Sequence, residues 1–290
     1  MSGYRSVFRP DLFANRVAIV TGGGSGIGRC IAHELTSLGA TVAITGRKLE
    51  KLERVAAEIT EDGGAVSTHA FDIRDEALVK EGIASIVEQH GRVDYLVNNA
   101  GGQFPSPAAM ISARGFDAVV RTNLLGGFLM ARECFDQVWS NRPATGVVVN
   151  MLADMWKGMP GMAHSGAARM GMLNLTQTLA VEWAAQGVRV NAVAPGWVES
   201  SGLDTYDAAT RALIPQLKKA VPLKRLATEA EVSSVVVFLL SEAAAFVTGE
   251  VVKIDGGGSI APTHFPMLDH DTSEAYQGFH RAVRPDAIKE

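Results

Sequence analysis

Thr21-Gly22-Gly23-Gly24-Ser25-Gly26-Ile27-Gly28 closes a short β-rich run, Val17–Thr21, and opens a helical pattern near Ile27–Leu38. That order decides the fold class. A glycine-rich turn between a strand and a helix lets the backbone approach a pyrophosphate, while the helix N-terminus offers unpaired amides and a favourable dipole. Gly22 is expected to make the turn, Gly26 to allow close approach and Gly28 to let helix and strand pack. Gly24, Ser25 and Ile27 complete the loop. A glycine cluster alone is a weak sign, because ordinary loops carry them too. The strand before it and the helix after it give it a functional meaning.

The next strand ends Thr45-Gly46-Arg47-Lys48. A site preferring NAD usually places a carboxylate there for the ribose 2′-hydroxyl. Here no acid is present and two cations follow at once, which suits a 2′-phosphate. The alternative is a solvated helix start, although cations are mildly unfavourable at a helix N-terminus. NADP, as NADPH, is therefore the expected cofactor.

Further along, strand-like runs alternate with longer helical patterns. Val17–Thr21, Thr41–Thr45, Ala65–Ala70, Tyr95–Asn98, Gly146–Asn150, Arg189–Ala194 and Val251–Ile254 read as strands. Most are apolar without alternation, as in a parallel sheet covered on both faces. Helical segments lie near Glu50–Ile59, Glu76–His90, Phe116–Trp139, Ala167–Ala185 and Glu229–Leu240. The pattern predicts a single α/β domain over residues 1–290, with a doubly wound, parallel, seven-stranded sheet. Residues 200–225, with Pro215 and Pro222, read as a helical excursion that forms a lid over the site. Residues 262–290 read as a polar, solvated tail. Its His264, His270 and His280, with Asp269 and Asp271, match no metal-ligand spacing.

Composition narrows the function classes. Of 290 residues, 47% are hydrophobic and 20% charged, which is ordinary for a globular protein with a full core. Lys+Arg 27 against Asp+Glu 31 leaves no basic stripe for nucleic acid. Cys30 and Cys134 fall in apolar helical patterns and read as buried thiols in a reducing compartment. Met1 to Phe13 shows no secretory pattern, no apolar run is long enough to span a bilayer, and Ile288-Lys289-Glu290 is no peroxisomal address. The expectation is a soluble, cytoplasmic protein.

Several motifs in order identify a resemblance to the short-chain dehydrogenase/reductase family over essentially the whole chain. Besides Thr21–Gly28 they are Asn98-Asn99-Ala100-Gly101, Thr122-Asn123-Leu124, Arg189-Val190-Asn191-Ala192-Val193-Ala194-Pro195-Gly196 and Asp255-Gly256-Gly257. The resemblance implies that Asp72 and Ile73 border the adenine and that Asn99, Ala100 and Gly101 line the cofactor. It also implies that Pro195, Gly196 and Val198 sit against the nicotinamide, and that a homotetramer forms through helices and the last strand. For Asp72 the alternative is a cap for the helix near Asp75. Leu173, Leu175, Leu179, Val181 and Trp183 leave a helix apolar on more than one face, in keeping with assembly.

His164-Ser165-Gly166-Ala167-Ala168-Arg169 departs from the family. The family moves a proton with a serine, a tyrosine and a lysine. Here the serine position falls at Leu152 or Ala153, the tyrosine position at Ser165 and the lysine position at Arg169. A serine hydroxyl is a far weaker acid than a phenol, and Arg does not give up its proton. This stretch, with Gly101-Gly102-Gln103-Phe104 and Ser106-Pro107-Ala108, resembles peroxisomal trans-2-enoyl-CoA reductases and their bacterial relatives. Glu231-Val232-Ser233-Ser234 and Asp269-His270-Asp271 continue that likeness. The 2,4-dienoyl-CoA reductases also lack the tyrosine. The trans-2-enoyl-CoA reductases carry a tyrosine where this chain has Leu173.

Enoyl reduction tolerates the loss. Hydride delivered to the β-carbon of an unsaturated thioester pushes charge onto the thioester oxygen, which needs hydrogen-bond donors more than a full proton. An alkoxide from a ketone must be protonated directly. The expected substrate is thus an acyl-CoA-type molecule. The expected donors are Asn123 and Ser165, with Arg169 anchoring the nicotinamide ribose and adding positive potential. Ser165 reads equally as a helix N-cap, and His164 as an acid or as packing. Asp154 and Lys157 are weaker candidates. Trp156, Trp197 and Met151, Met155, Met159 and Met162 suit an apolar acyl pocket or ordinary core. The alternatives are an alcohol or carbonyl dehydrogenase for a fatty or terpenoid substrate, and a silent dinucleotide-binding protein.

Overall fold

The structure, a computed structural model, describes residues 3–141, 146–262 and 266–288. His264, Lys289 and Glu290 lie outside the described residues. Strands β1 (Val17–Thr21), β2 (Thr41–Gly46), β3 (Ala65–Ala70), β4 (Tyr95–Asn98), β5 (Val147–Met151) and β6 (Arg189–Pro195) are separated by helices. These are α1 (Gly26–Ser37), α2 (Leu49–Glu61), α3 (Glu76–His90), α4 (Ala113–Val120), α5 (Gly126–Gln137) and α6 (Ala163–Glu182). A pair of two-residue strands, β7 (Val198–Glu199) and β8 (Ala227–Thr228), brackets the excursion with α7 (Ala208–Arg211) and α8 (Ile214–Ala220). Helix α9 (Glu229–Leu240) and strand β9 (Val251–Ile254) complete the layout.

The main sheet has seven strands in the order β3-β2-β1-β4-β5-β6-β9, and every pairing is parallel. Successive residues of a strand face opposite sides, and here both sides are apolar. Ala18 and Val20 join α1, α2 and α9 in one core layer, while Ile19, Leu96 and Val148 join α3, α5 and α6 in the other. This is why the strand sequences run apolar without alternation. Strand order reverses between β1 and β4, and the crevice beyond their C-terminal ends is where such sheets bind ligands. No helix among the described residues is long and apolar enough to cross a membrane.

Three features differ from the sequence expectation. The helix expected over Phe116–Trp139 is split by a π-helical turn, Arg121–Leu125, an inserted widening typical of functional positions. Helix α6 begins at Ala163 rather than Ala167, so His164 and Ser165 lie inside its first turn and Met162 is the N-cap residue. Ser165 is therefore not the cap. The tail is not solvated throughout: residues 268–272 are exposed, but Phe279 is 1% exposed against Cys30 and Ala230, and His280 and Arg281 pair with Asp62, the C-cap residue of α2, at 2.9 and 2.7 Å. One buried aromatic ring and a charge cluster anchor it, which average polarity does not reveal.

Candidate active site

The phosphate loop is fixed by backbone geometry. Gly22 and Gly26 have φ of 68° and 57°, the left-handed region that favours glycine. A Cβ on Gly28 would stand 2.4 Å from Asn99 Nδ2 and 2.5 Å from the Gly22 carbonyl oxygen. Asn99 Nδ2 donates to the Thr21 carbonyl at 2.9 Å, and Thr21 Oγ1 accepts from the amides of Asn99 and Ala100. The two loops are thus stitched together above β1 and β4. Ser25 makes no side-chain cap on α1, so the helix start keeps amides for an anion. Gly24 faces Lys51 and Ile27 packs on the core.

Arg47 and Lys48 are exposed beyond β2, and Lys48 occupies the N-cap position of α2 without a side-chain bond. Asp72 is clasped by Arg74 at 2.5 Å and by its backbone amide at 3.0 Å; the Arg74 guanidinium holds its carboxyl below the usual range, with Arg47 adding to the effect. Asp75, not Asp72, caps α3 by accepting from the Ala77 and Leu78 amides. Ile73 is buried against Gly126. Pro195 ends β6 and accepts from the Asp154 amide, Gly196 packs on Asp255, and Val198 pairs with Ala227.

At the start of α6 the side chains carry the geometry. Arg169 reaches under the sheet end: its Nη1 donates to the Met151 carbonyl, and a Cβ on Gly101 would stand 2.7 Å from its Nη2. Burial alone pulls the guanidinium down to about 10, so it stays cationic at neutral pH, and its Nε is buried without a partner. A buried charge with no carboxylate beside it awaits a polar group. Asn123, on the π-helical turn, donates to the Gly102 carbonyl and accepts from the Gly102 amide, both at 2.9 Å. Its amide braces the turn after Gly101, which differs from the expected free donor. Leu152 and Ala153, between which the family's serine position falls, offer no hydroxyl, and Leu152 is 2% exposed.

Ser165 is fully buried, and its Oγ donates to Gln103 Oε1 at 2.7 Å. His164 Nδ1 accepts from the Ser165 amide at 2.8 Å, and its ring stands edge-on to Phe104 at 4.4 Å. The ring is fully buried there, with its Nε2 lacking a hydrogen-bond partner. Lys157 spends its ammonium on the Gly258 and Ala261 carbonyls, and Asp154 is a half-buried carboxyl pushed up by burial and by Asp255. Met151 and Met155 belong to the core, Trp156 lies under the Lys253 ammonium, and Trp197 packs beneath the excursion. The sequence reading missed Gln103 as a working residue, and Tyr206 entirely. Gln103 Nε2 donates to Tyr206 Oη at 3.0 Å. Only the proximity of Gln103 to the Asn99–Gly101 motif hinted at the first.

The glycine cradle, the uncapped helix start and the unpartnered Arg169 Nε fit a nicotinamide dinucleotide. A family model described as Enoyl-(Acyl carrier protein) reductase matches residues 22–259. A probable 2,4-dienoyl-CoA reductase of Bacillus subtilis is 36% identical over 86% of this chain and 99% of its own length. A peroxisomal 2,4-dienoyl-CoA reductase of Danio rerio is 35% identical over 89% and 86%. Among solved structures, a citronellol catabolism dehydrogenase (AtuB) of Pseudomonas aeruginosa is 58% identical with a TM-score of 0.79, over 88% of this chain and all of its own. With the fold, the loop motifs and these likenesses together, the chain belongs to the short-chain dehydrogenase/reductase family of oxidoreductases.

Proposed function

We propose that this protein reduces the carbon–carbon double bond of a trans-2-enoyl-CoA, with NADPH as the cofactor. One observation carries the reading: the tyrosine and lysine positions hold a buried Ser165 and a cationic Arg169, and Leu152 or Ala153 stands in place of the serine. That set cannot protonate an alkoxide efficiently, yet it can hold charge on a thioester oxygen. The two dienoyl-CoA reductases above act on the same kind of bond by their names.

When bound, NADPH supplies the hydride. Gly22, Gly24, Ser25, Gly26, Ile27 and Gly28 would take its pyrophosphate, and Arg47 and Lys48 the 2′-phosphate. Asp72 and Ile73 would border the adenine; Pro195, Gly196 and Val198 would back the nicotinamide. Arg169, against Asn99, Ala100 and Gly101, would hold the ribose and place positive potential beside the developing enolate. Asn123 would keep that turn in place, and Ser165, its hydrogen given to Gln103, would hold that side chain at the cleft.

A second reading, dehydrogenation of a terpenoid alcohol or aldehyde, is favoured by the 58% identity to the citronellol catabolism enzyme. NADPH oxidation with straight and methyl-branched enoyl-CoAs and ketoacyl-CoAs, set against NADP+ reduction with free terpenoid alcohols and aldehydes, separates the two. Turnover of enoyl-CoAs is expected; turnover confined to alcohols or carbonyls would refute the first reading. The exposed apolar residues Met170, Val181 and Phe246 suit burial in a homotetramer, which light scattering at micromolar concentration tests.

A further inference from the structure

We infer that Tyr206, on the excursion between β6 and α9, is the acid that protonates the substrate α-carbon, a role that rests on the enoyl-CoA reading above. The tyrosine missing from α6 is supplied from another part of the chain. Ser165 Oγ donates to Gln103 Oε1 at 2.7 Å, and Gln103 Nε2 donates to Tyr206 Oη at 3.0 Å. Gln103 follows Gly102, which Asn123 grips at both its amide and its carbonyl, and Gly101 lies against the Arg169 guanidinium. The line therefore runs from the first turn of α6 across the cleft mouth to the excursion.

The direction of these bonds assigns the roles. With the amide placed as it is, the Ser165 hydrogen is spent on Gln103, while the phenol oxygen receives a hydrogen and keeps its own. A phenol is also a much stronger acid than an aliphatic hydroxyl. The other candidate acids are placed elsewhere. His164 is buried behind Phe104, Lys157 is committed to two carbonyls, and the Asp154 carboxyl faces Gly258. Tyr206 is held in position by packing with Trp197, Leu203, Ile214, Leu226 and Ile288. The Ala287 amide donates to Asp204 at 2.9 Å, so the tail secures the turn that presents the phenol.

The step balances. Hydride adds to the β-carbon and the double-bond pair becomes an enolate spread over the α-carbon and the thioester oxygen. The Tyr206 O–H bond then breaks as the α-carbon gains its C–H bond, and the phenolate recovers a proton from water at the half-exposed excursion. The sum is one NADPH and one proton consumed per double bond.

Tyr206→Phe tests it. Its kcat with a trans-2-enoyl-CoA should fall by roughly 100-fold or more, as for loss of a general acid. KM should hold, as should calorimetric binding of a saturated acyl-CoA to the cofactor-free protein. In D2O the wild type should place deuterium on the α-carbon in one configuration, and Tyr206→Phe should give both. Gln103→Leu should lower kcat less, because the phenol remains but is no longer aimed. A Tyr206→Phe enzyme within about threefold of wild-type kcat, with one α-configuration, would overturn the assignment. A loss appearing only in KM would overturn it too and leave Tyr206 as a wall of the pocket. Wild-type failure on every enoyl-CoA would instead bring down the reading beneath it.

Discussion

The phosphate loop and the start of α6 lie at the same end of the sheet and answer to different constraints. In the loop the backbone itself is the constrained element. Gly22 and Gly26 need left-handed φ, and at Gly28 there is no space for a single carbon between Asn99 and the Gly22 carbonyl. Little can change there without losing the cradle. At the start of α6 the backbone is ordinary helix, and only the side chains meet the cleft. Ser165 and Arg169 hold positions where the family has tyrosine and lysine, with the fold unaltered. A site made of backbone resists substitution, while one made of side chains can be given new chemistry.

The most damaging test of that contrast is Gly28→Ala. Overpacking against Asn99 and the Gly22 carbonyl should cost about 1–3 kcal/mol of stability and abolish tight NADPH binding, read by thermal melting and fluorescence titration. If the variant binds NADPH normally, the loop is not the rigid half of the site. Next comes Arg169→Ala, which removes a buried cation held against the Met151 carbonyl. NADPH affinity and turnover should both fall, by roughly 10- to 100-fold for loss of charged hydrogen bonds worth about 1.5–3 kcal/mol. Arg169→Lys should restore part of this, since charge returns without the planar fork. Unchanged kinetics in Arg169→Ala would take the residue out of the site.

Arg47→Ala should act more weakly, because Arg47 is exposed. Its expected effect is confined to the cofactor's 2′-phosphate: the preference for NADPH over NADH narrows by about tenfold, or ~1.4 kcal/mol. Equal affinity of the wild type for both cofactors would remove the basis of this expectation. A separate effect of acid arises where the tail docks. Burial holds His33 down to about 4 from an ordinary 6.5, although Glu58 and Asp62 stand beside it. A proton therefore prefers the unfolded chain, so this stability is complete above pH 6.5 and is lost as pH falls towards 4. Glu229, pushed up to about 7 by burial, has the opposite sign over much of that interval. The measure is therefore the difference in melting temperature between wild type and His33→Gln, which should shrink or change sign between those pH values. A pH-independent difference would contradict it.

The smallest expected effect is a failure to gain. Ser165→Tyr with Arg169→Lys restores two of the family's three residues, yet ketone reduction should stay near background. Leu152 and Ala153, where the family's serine falls, offer no hydroxyl to partner the ketone oxygen. Efficient ketone turnover by that double variant would show that side-chain identity alone decides the chemistry.

Local sequence determined much of this protein. Apolar strands, helical patterns and the Thr21–Gly28 turn each reflect contacts between near neighbours, and they placed all seven strands of the sheet and the glycine turn after the first. The loss of tyrosine and lysine at Ser165 and Arg169 was equally legible, because helix spacing keeps those positions on one face. Other features needed the folded chain. The π-helical turn carries Asn123, which bonds to Gly102 on another loop, a pairing 21 residues apart. The docked tail depends on one ring, Phe279, finding a gap beside Cys30. The Ser165–Gln103–Tyr206 line draws on three separate segments, so no periodicity or motif encodes it. Propensity and pattern act through adjacent residues; the meeting of distant polar groups is decided only when the sheet and its loops close together.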